Sequence, residues 1–471
     1  MNFIRARNDY CTLYCEDSKV FSKFYRALRY PQRGYYHSTL YKQGRWDGHV
    51  DFLSKKTGKF LTGLLPEITE GLKLLGEEYK IKDERGVVKW AINEINKDFL
   101  PGMELYDYQV DLINQAIRYS RGVIFAPTSS GKTAIMIGIL KALSPNTPTL
   151  FLANRKGLVE QNYNEMMKWG FENVGRLYDK YKKPDVITCA TIQSLHKIEK
   201  ILPHFKVVIV DEIHDMMSKQ PKRFYNKLKG ACVRIAVSAT PFKFGGKDRV
   251  QKYSVKGHFG PVFKTESASE EDKGVLTTSF LQSREVLSAS DCTFYNIEEP
   301  YIPYMVYQEA TTKGIAESLY FHEVVRDLAT KQKGRTLILV ERIAHGDALA
   351  QMIPGALWIQ GKDDLETRQF VIEQLKKAKK NVVAIATQGI FNAGINVFIH
   401  NLINAAGGKA EHVIIQRMGR GLRTADDKEI LKYYDFIFNI NDYLLIHSRK
   451  RIQILRKEGH KVTVKEKFDF R

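Results

Sequence analysis

Cysteine is scarce: five residues in a chain of 471, at positions 11, 15, 189, 232 and 292. Cys11 and Cys15 are the only close pair. No second Cys/His pair completes a zinc site, so the thiols are expected to be reduced and mostly buried, without a disulfide framework. Long apolar runs are missing as well. A helix that spans a bilayer needs about 18 or more consecutive apolar residues, and none is present. The opening stretch, "MNFIRARNDYC", lacks the apolar centre of a secretory signal. The expectation is a soluble, cytoplasmic protein. Low-complexity tracts and short-period repeats are absent, which argues against a solenoid. Acid is short relative to base: 53 Asp and Glu face 73 Lys and Arg, giving a formal charge of +20 and a pI near 9.4. Such a balance is large for a metabolic enzyme and points to a polyanionic partner.

What is present falls into three parts. Residues 1–100 read as a small α/β module. "EDSKVFSKFYRALRY" carries Val20, Phe21, Phe24, Tyr25 and Leu28 at helical spacing. "GHVDFLSKKTGKFLTGLL" reads as two strands around a turn at Lys55–Gly58, and "PEITEGLKLLG" as a short helix with Pro66 near its start and Gly76 after its end. Residues 101–270 change rhythm. Short apolar strands ("GVIFA", "TLFLA", "VITCA", "VVIVD", "RIAVSA") alternate with helical stretches, the pattern of a parallel sheet covered on both faces. Residues 271–471 repeat it with "TLILV", "ALWIQ", "VVAIA", "NLINAA" and "DFIFNI". The polar segment "TESASEEDKGVL" between them is either a linker or a surface helix.

Two stretches carry chemistry. In "APTSSGKTAI" a loop follows the strand "GVIFA" and opens a helix. Backbone N–H groups at such a helix start hold phosphate. Ser130 and Gly131 let the backbone approach, Lys132 reaches the β- and γ-phosphates, and Thr133 holds Mg²⁺. The first glycine of the usual pattern is replaced by Ala126. In "VIVDEIHD", Asp211 and Glu212 end a buried strand, where ligands of such sheets bind. Asp211 is placed to hold Mg²⁺ through water, and Glu212 to orient and deprotonate an attacking water.

With these in place, residues 101 onward resemble superfamily 2 helicases and translocases, whose motifs appear here in order. "LYDYQ" (105–109) resembles the adenine-reading glutamine motif; "APTSSGKT" and "DEIH" match motifs I and II; "SAT" (238–240) matches the element that couples hydrolysis to movement. "IATQGIFNAGINV" (385–397) resembles motif V and "QRMGRGLR" (416–423) motif VI. The resemblance implies two RecA-like lobes and use of ATP with Mg²⁺. It implies Gln109, Gly394 and Asn396 at the nucleotide, His214, Ser238 and Thr240 in coupling, and Gln416 positioning water. Arg420 and Arg423 become arginine fingers, a device that contributes about 10³–10⁵ in rate. Arg417 is implied instead as a support of the acidic motif. Arg155, Thr191, Gln193, Thr387 and Gln388 are implied along the DNA track. Tyr106 stands where an arginine is usual, which loosens adenine selectivity, and Asn396 and His214 separate the chain from the DEAD-box branch.

Within the superfamily the likeness is to phage recombination helicases of the UvsW kind, and includes "GRWDGHVDFLSKKTGKFLTGLLP" (44–66) ahead of the motor. That implies a monomeric motor on branched DNA, forks or four-way junctions, in a bacterial host's cytoplasm. Residues 1–45 agree: nine Lys and Arg against three Asp and Glu, with seven tyrosines. Cations grip phosphates and aromatics stack on bases. Trp46 reads as core or hinge rather than a wedge. Residues 449–471, nine basic and three acidic, are either another DNA contact or a solvated helix. An RNA helicase, a restriction-type translocase and a binding protein with a degenerate motor are the alternatives.

Overall fold

The computed structural model describes residues 1–242, 246–265, 274–378, 381–394, 398–423, 430–466 and 468–470. The chain divides into two compact units: residues 1–276 without Pro127–Ser130, and Thr277–Arg471 together with those four residues.

The first unit opens with a four-stranded sheet in the order β5-β2-β1-β6, formed by β1 (Asn2–Ala6), β2 (Tyr10–Tyr14), β5 (Lys59–Leu61) and β6 (Tyr79–Asp83). A separate ribbon pairs β3 (Arg29–Pro31) with β4 (His49–Asp51). The two strands expected around Lys55–Gly58 are therefore present, but each takes its main partner elsewhere, β4 on β3 and β5 on β2. Helices Ser18–Ala27 and Leu65–Leu74 supply Val20, Phe24, Leu65, Ile68 and Leu72 to a core with Ile4, Cys11, Leu13 and Phe60. Leu28 joins the same core, and Phe21 and Tyr25 pack at its margin.

The unit then builds a seven-stranded sheet from β7 (Arg121–Phe125), β8 (Thr149–Ala153), β9 (Val174–Tyr178), β10 (Tyr181–Lys183), β11 (Ile187–Thr191), β12 (Val207–Asp211) and β13 (Val233–Ser238). Its order is β10-β9-β11-β8-β12-β13-β7, and only β10 runs antiparallel. The five apolar strands read from the sequence are all there. The β9–β10 hairpin escaped notice because its apolar residues are broken by Arg176 and a lysine-rich turn. Arg176 lies between the rings of Tyr163 and Tyr181, 4.2 and 3.9 Å from their centroids, and bonds Glu160.

The front module and this sheet share one interface. Val250 and Tyr253 of the helix Arg249–Phe259 pack against the module's core. Tyr253 meets Tyr30 and Phe52 with ring centroids 4.7 and 5.8 Å apart. A Cβ on Gly63 would come within 2.0 Å of the Lys256 carbonyl oxygen, so glycine there is a condition of the contact. Glu67 accepts from Lys256 at 2.7 Å.

The second unit is a seven-stranded, wholly parallel sheet: β14 (Ala289–Ile297), β15 (Arg335–Val340), β16 (Leu357–Ile359), β17 (Val382–Thr387), β18 (Asn401–Asn404), β19 (Ile430–Phe438) and β20 (Lys461–Lys465). The order is β16-β17-β15-β18-β19-β14-β20. The basic tail is not a solvated helix. The helix Asp442–Lys457 buries Leu444, Arg451, Ile452, Ile454 and Leu455, and β20 closes an edge of the sheet beside β14. The acidic segment 266–273 lies outside the described residues. No helix of the described chain is long and apolar enough to cross a membrane, and all five cysteines are unpaired, four of them buried.

Candidate functional site

In the first unit β7, β13 and β12 lie side by side, so their carboxyl ends bring three distant stretches together. After β7 comes the loop that ends at Gly131, with φ +79°, and opens the helix Lys132–Ala142. Gly131 is needed twice: for its left-handed backbone, and because a Cβ would lie 2.2 Å from Gln109 Nε2. Gln109 itself is buried, and its Oε1 accepts from the Tyr106 N–H at 3.0 Å, closing the start of its own helix. Tyr106 is half exposed, its ring stacked on Tyr108 at 5.6 Å and 7°. Ser130 is fully buried, and Thr133 is partly buried one residue into the helix.

Asp211 ends β12 and Glu212 follows in the left-handed region, φ +54° and ψ +55°. A non-glycine residue there costs about 1–3 kcal/mol and marks a constraint imposed by the surroundings. The turn aims Glu212 back at the phosphate loop. Its Oε1 accepts from Lys132 Nζ at 2.8 Å, and its Oε2 from Ser238 Oγ at 3.1 Å. His214 Nδ1 is 2.9 Å from Ser238 Oγ and 3.3 Å from Glu212 Oε2, and the Thr240 N–H donates to Ser238 Oγ at 3.1 Å. Lys132, Glu212, Ser238, His214 and Thr240 therefore form one connected group. Burial works against the Glu212 charge, but Lys132 and His214 outweigh it and hold the carboxyl well below the usual range. Asp211 moves the other way, pushed up to about 6 by burial and then by its Glu212 neighbour. Among the described residues its Oδ1 is buried with no hydrogen-bond partner. A buried carboxylate oxygen left open beside a phosphate loop suits a divalent cation or its water. Thr133 and Asp211 are the residues that would hold Mg²⁺, with phosphate oxygens and water completing its shell.

The residues of this unit expected along a DNA track are placed unequally. Arg155 is exposed at the start of the helix Lys156–Lys168 and Gln193 is exposed after β11. Thr191 is buried, with its hydroxyl 2.9 Å from Ser194 Oγ.

In the second unit Thr387 ends β17, and Gln388 opens the helix Gln388–Gly394. Gly394 is that helix's last residue, and Asn396 lies outside the described residues. Gln416, Arg417 and Arg420 lie on the helix Glu411–Gly421, with Arg423 two residues beyond it. Gln416, Arg420 and Arg423 are partly buried, and Arg420 sits 5.8 Å from the Phe391 ring centroid.

Arg417 turns inward. Its side chain is 1% exposed and turns into its own sheet, where Nη1 donates to Asn404 Oδ1 at 2.6 Å and to the Gly407 carbonyl at 3.2 Å. Asn404 Nδ2 donates to Asp435 Oδ2 at 2.8 Å. Asp435, wholly buried on β19, also accepts from Tyr433 OH at 2.7 Å and from Arg451 Nε and Nη2 at 2.9 and 2.8 Å. Arg451 completes its donors on the Gly408 and Phe436 carbonyls. The chain Arg451–Asp435–Asn404–Arg417 ties the C-terminal helix through β19 and β18 to the helix of motif VI. Sequence reasoning missed Asp435 and Arg451. The available signal was a charged residue inside each of two apolar patterns, "YYDFIFNI" and "RIQIL".

Comparison with known proteins bears on the whole chain. The family model described as "Type III restriction enzyme, res subunit" matches residues 102–243. The ATP-dependent DNA helicase uvsW of Enterobacteria phage T4 is 23% identical over 497 aligned positions, which cover 93% of this chain and 94% of that protein. The DNA 3'-5' translocase XPB2 of Sulfurisphaera tokodaii is 22% identical, covering 75% of this chain and 86% of its own. Among solved structures, S. cerevisiae Dbp5 bound to RNA and ADP BeF3 shares the fold with a TM-score of 0.51 at 14% identity, over 77% of this chain and 90% of that one. With its motifs in order on two largely parallel sheets, the chain is a helicase-type ATPase that is similar to the superfamily 2 helicases, and its likeness to the phage T4 uvsW helicase runs over nearly its full length.

Proposed function

We propose that the protein is an ATP- and Mg²⁺-dependent DNA helicase or translocase that unwinds or branch-migrates forks and four-way junctions. The observation that carries the motor is the group around Glu212: a strained carboxylate held between the phosphate-loop lysine and the "SAT" serine, beside a carboxylate oxygen open to a cation. In this reading Lys132 leaves Glu212 for the β- and γ-phosphates, which frees Glu212 to take a proton from the attacking water. His214, Ser238 and Thr240 sense that change, being bonded to the same carboxylate. Gln109 and Gly394 with Asn396 serve the nucleotide. Gln416 positions the water, and Arg420 and Arg423 meet the charge that develops on the γ-phosphate. Arg417 is the anchor of their helix.

DNA as the polyanion is supported by the +20 charge and by relatives whose names specify DNA. Arg155, Gln193, Thr387 and Gln388 are proposed along the strand, with Thr191 fixing the turn that presents Gln193. Three domains are proposed: 1–100 for branch recognition, 101–270 and 271–471 for the two motor lobes, working as a monomer in the cytoplasm. A motor alone meets a uniform backbone. A second basic surface at a fixed offset engages only where a junction offers it phosphates, and linked contacts multiply affinity.

The test is ATPase stimulation and strand displacement, titrated on linear duplex, fork, four-way junction and RNA. The expected ranking puts both branched substrates first. Stimulation by RNA alone would move the protein to the RNA helicases. Deletion of residues 1–100 is a poor test, since it strips Tyr30, Phe52 and Gly63 from the helix Arg249–Phe259.

A further inference from the structure

The four-stranded sheet of the front module has one face buried and one exposed. Helices Ser18–Ala27 and Leu65–Leu74 cover Ile4, Ala6, Cys11 and Leu13 on the inner face. Strand register fixes the outer face, because residues directly opposite one another project to the same side. Tyr14 on β2 pairs with Phe3 on β1, which pairs with Lys80 on β6. The next row is Lys59, Thr12, Arg5 and Lys82, running from β5 to β6. Phe3 and Tyr14 are 36% and 54% exposed, with ring centroids 6.0 Å apart and planes tilted by 39°. The two rings form an adjoining aromatic pair on the solvated face of the sheet. Lys59, Lys80 and Lys82 are exposed beside them. The acidic groups nearby are already committed: Glu84 serves Arg5, Arg7 and Lys82, and Glu16 pairs with the chain's amino terminus.

We propose that this face binds an unpaired stretch of DNA strand, with Phe3 and Tyr14 stacking on successive bases and Lys59, Lys80 and Lys82 taking the flanking phosphates. The proposal rests on the reading of residues 1–100 as serving a DNA motor, and makes their substrate single-stranded. Duplex is a poor occupant because its bases are already stacked on one another, so the rings would meet only the backbone. An aromatic pair accepts any base, since every base has a π face, and the lysines carry no sequence information. A junction whose arms are being unwound supplies such a strand.

The experiment uses the full-length chain without ATP and a fluorescein-labelled oligo-dT, read by anisotropy. Replacing either ring by alanine is expected to weaken binding about fivefold to a hundredfold. Phe3→Tyr with Tyr14→Phe should retain the affinity, because the ring faces survive. Lys80→Glu with Lys82→Glu should weaken binding and flatten its salt dependence; these side chains stand in solvent, so this variant serves if the alanine protein does not fold. An oligo-dT carrying bromodeoxyuridine should crosslink to the peptides containing Phe3 or Tyr14. Wild-type affinity in a folded Phe3→Ala/Tyr14→Ala protein overturns the proposal, as does tighter binding of oligo-rU than of oligo-dT. Those failures would leave branch-stimulated ATPase intact, whereas loss of the function proposed above would show in the ATPase titration and not in this binding assay.

Discussion

Removing one partner of the buried pair Asp435–Arg451 should destabilise the second lobe by about 3–5 kcal/mol, because the other charge is left without compensation in a dry interior. Both residues are at most 1% exposed, so water cannot make good the loss. Asp435→Asn leaves Arg451 uncompensated, and Arg451→Met does the same to Asp435. In Arg451 burial acts to lower the pKa, yet Asp435 overrides it and leaves the guanidinium raised. The damage should also be shared: Asp435 is bonded to Tyr433 and, through Asn404, to Arg417. A double variant, Asp435→Leu with Arg451→Met, should therefore cost clearly less than the two single changes added together. Unfolding of a two-unit chain need not be two-state, so the suitable assay is hydrogen exchange of amides in β18 and β19. Their protection should fall by roughly two to nearly four powers of ten. The same variants should turn over ATP more slowly with nucleotide affinity largely kept, since the helix that carries Arg420 and leads into Arg423 loses its anchor. A loss of stability below about 1 kcal/mol in Asp435→Asn, or strict additivity in the double variant, would refute this reasoning.

Three further outcomes are expected. Lys132→Ala should abolish hydrolysis, while Glu212→Gln should bind ATP and DNA but turn over very slowly; normal turnover by Glu212→Gln would remove it as the base. Arg420→Ala and Arg423→Ala should each lower kcat far more than they change KM, because a finger acts on charge that appears in the transition state; an unchanged kcat with a raised KM would make either residue a ground-state binder. The second lobe should weaken in acid. Burial lowers His345 to about 3 and His447 and His460 to about 4. Groups depressed on folding contribute fully above the unfolded value near 6.5 and lose that contribution as pH falls toward the folded values. Exchange protection in this lobe should drop between about pH 6.5 and 4, and His345→Gln should flatten that drop; a flat profile in the wild type would contradict the burial of these rings as neutral groups.

Local sequence determined the elements whose physics is local. A buried parallel strand must be a short apolar run, so "VVIVDE" and "VVAIAT" announce themselves, and a phosphate loop must offer glycine, lysine and a hydroxyl in consecutive positions. The order of such stretches was enough to indicate two sheets and a nucleotide between motifs. It could not indicate which way a side chain turns when two environments compete for it. Arg417 sits among charged motif residues in the sequence, yet Asn404 and Gly407, thirteen and ten positions away, draw it into the sheet. "YKIKD" has no strong apolar signature, and becomes a strand only because Asn2–Ala6 lies alongside it, 77 residues earlier in the chain. The same pairing sets Lys80 beside Phe3 and leaves one face of the sheet in solvent. The front module looks separable by composition, but its core is completed by Val250 and Tyr253. The basic tail offers charge to a reader of composition, while Ile452, Ile454 and Leu455 of its helix are buried in the second lobe and its last strand pairs with β14. In each case the deciding contact joins segments far apart in sequence, where hydrogen bonding and burial act across space and leave no periodic trace in the residues themselves.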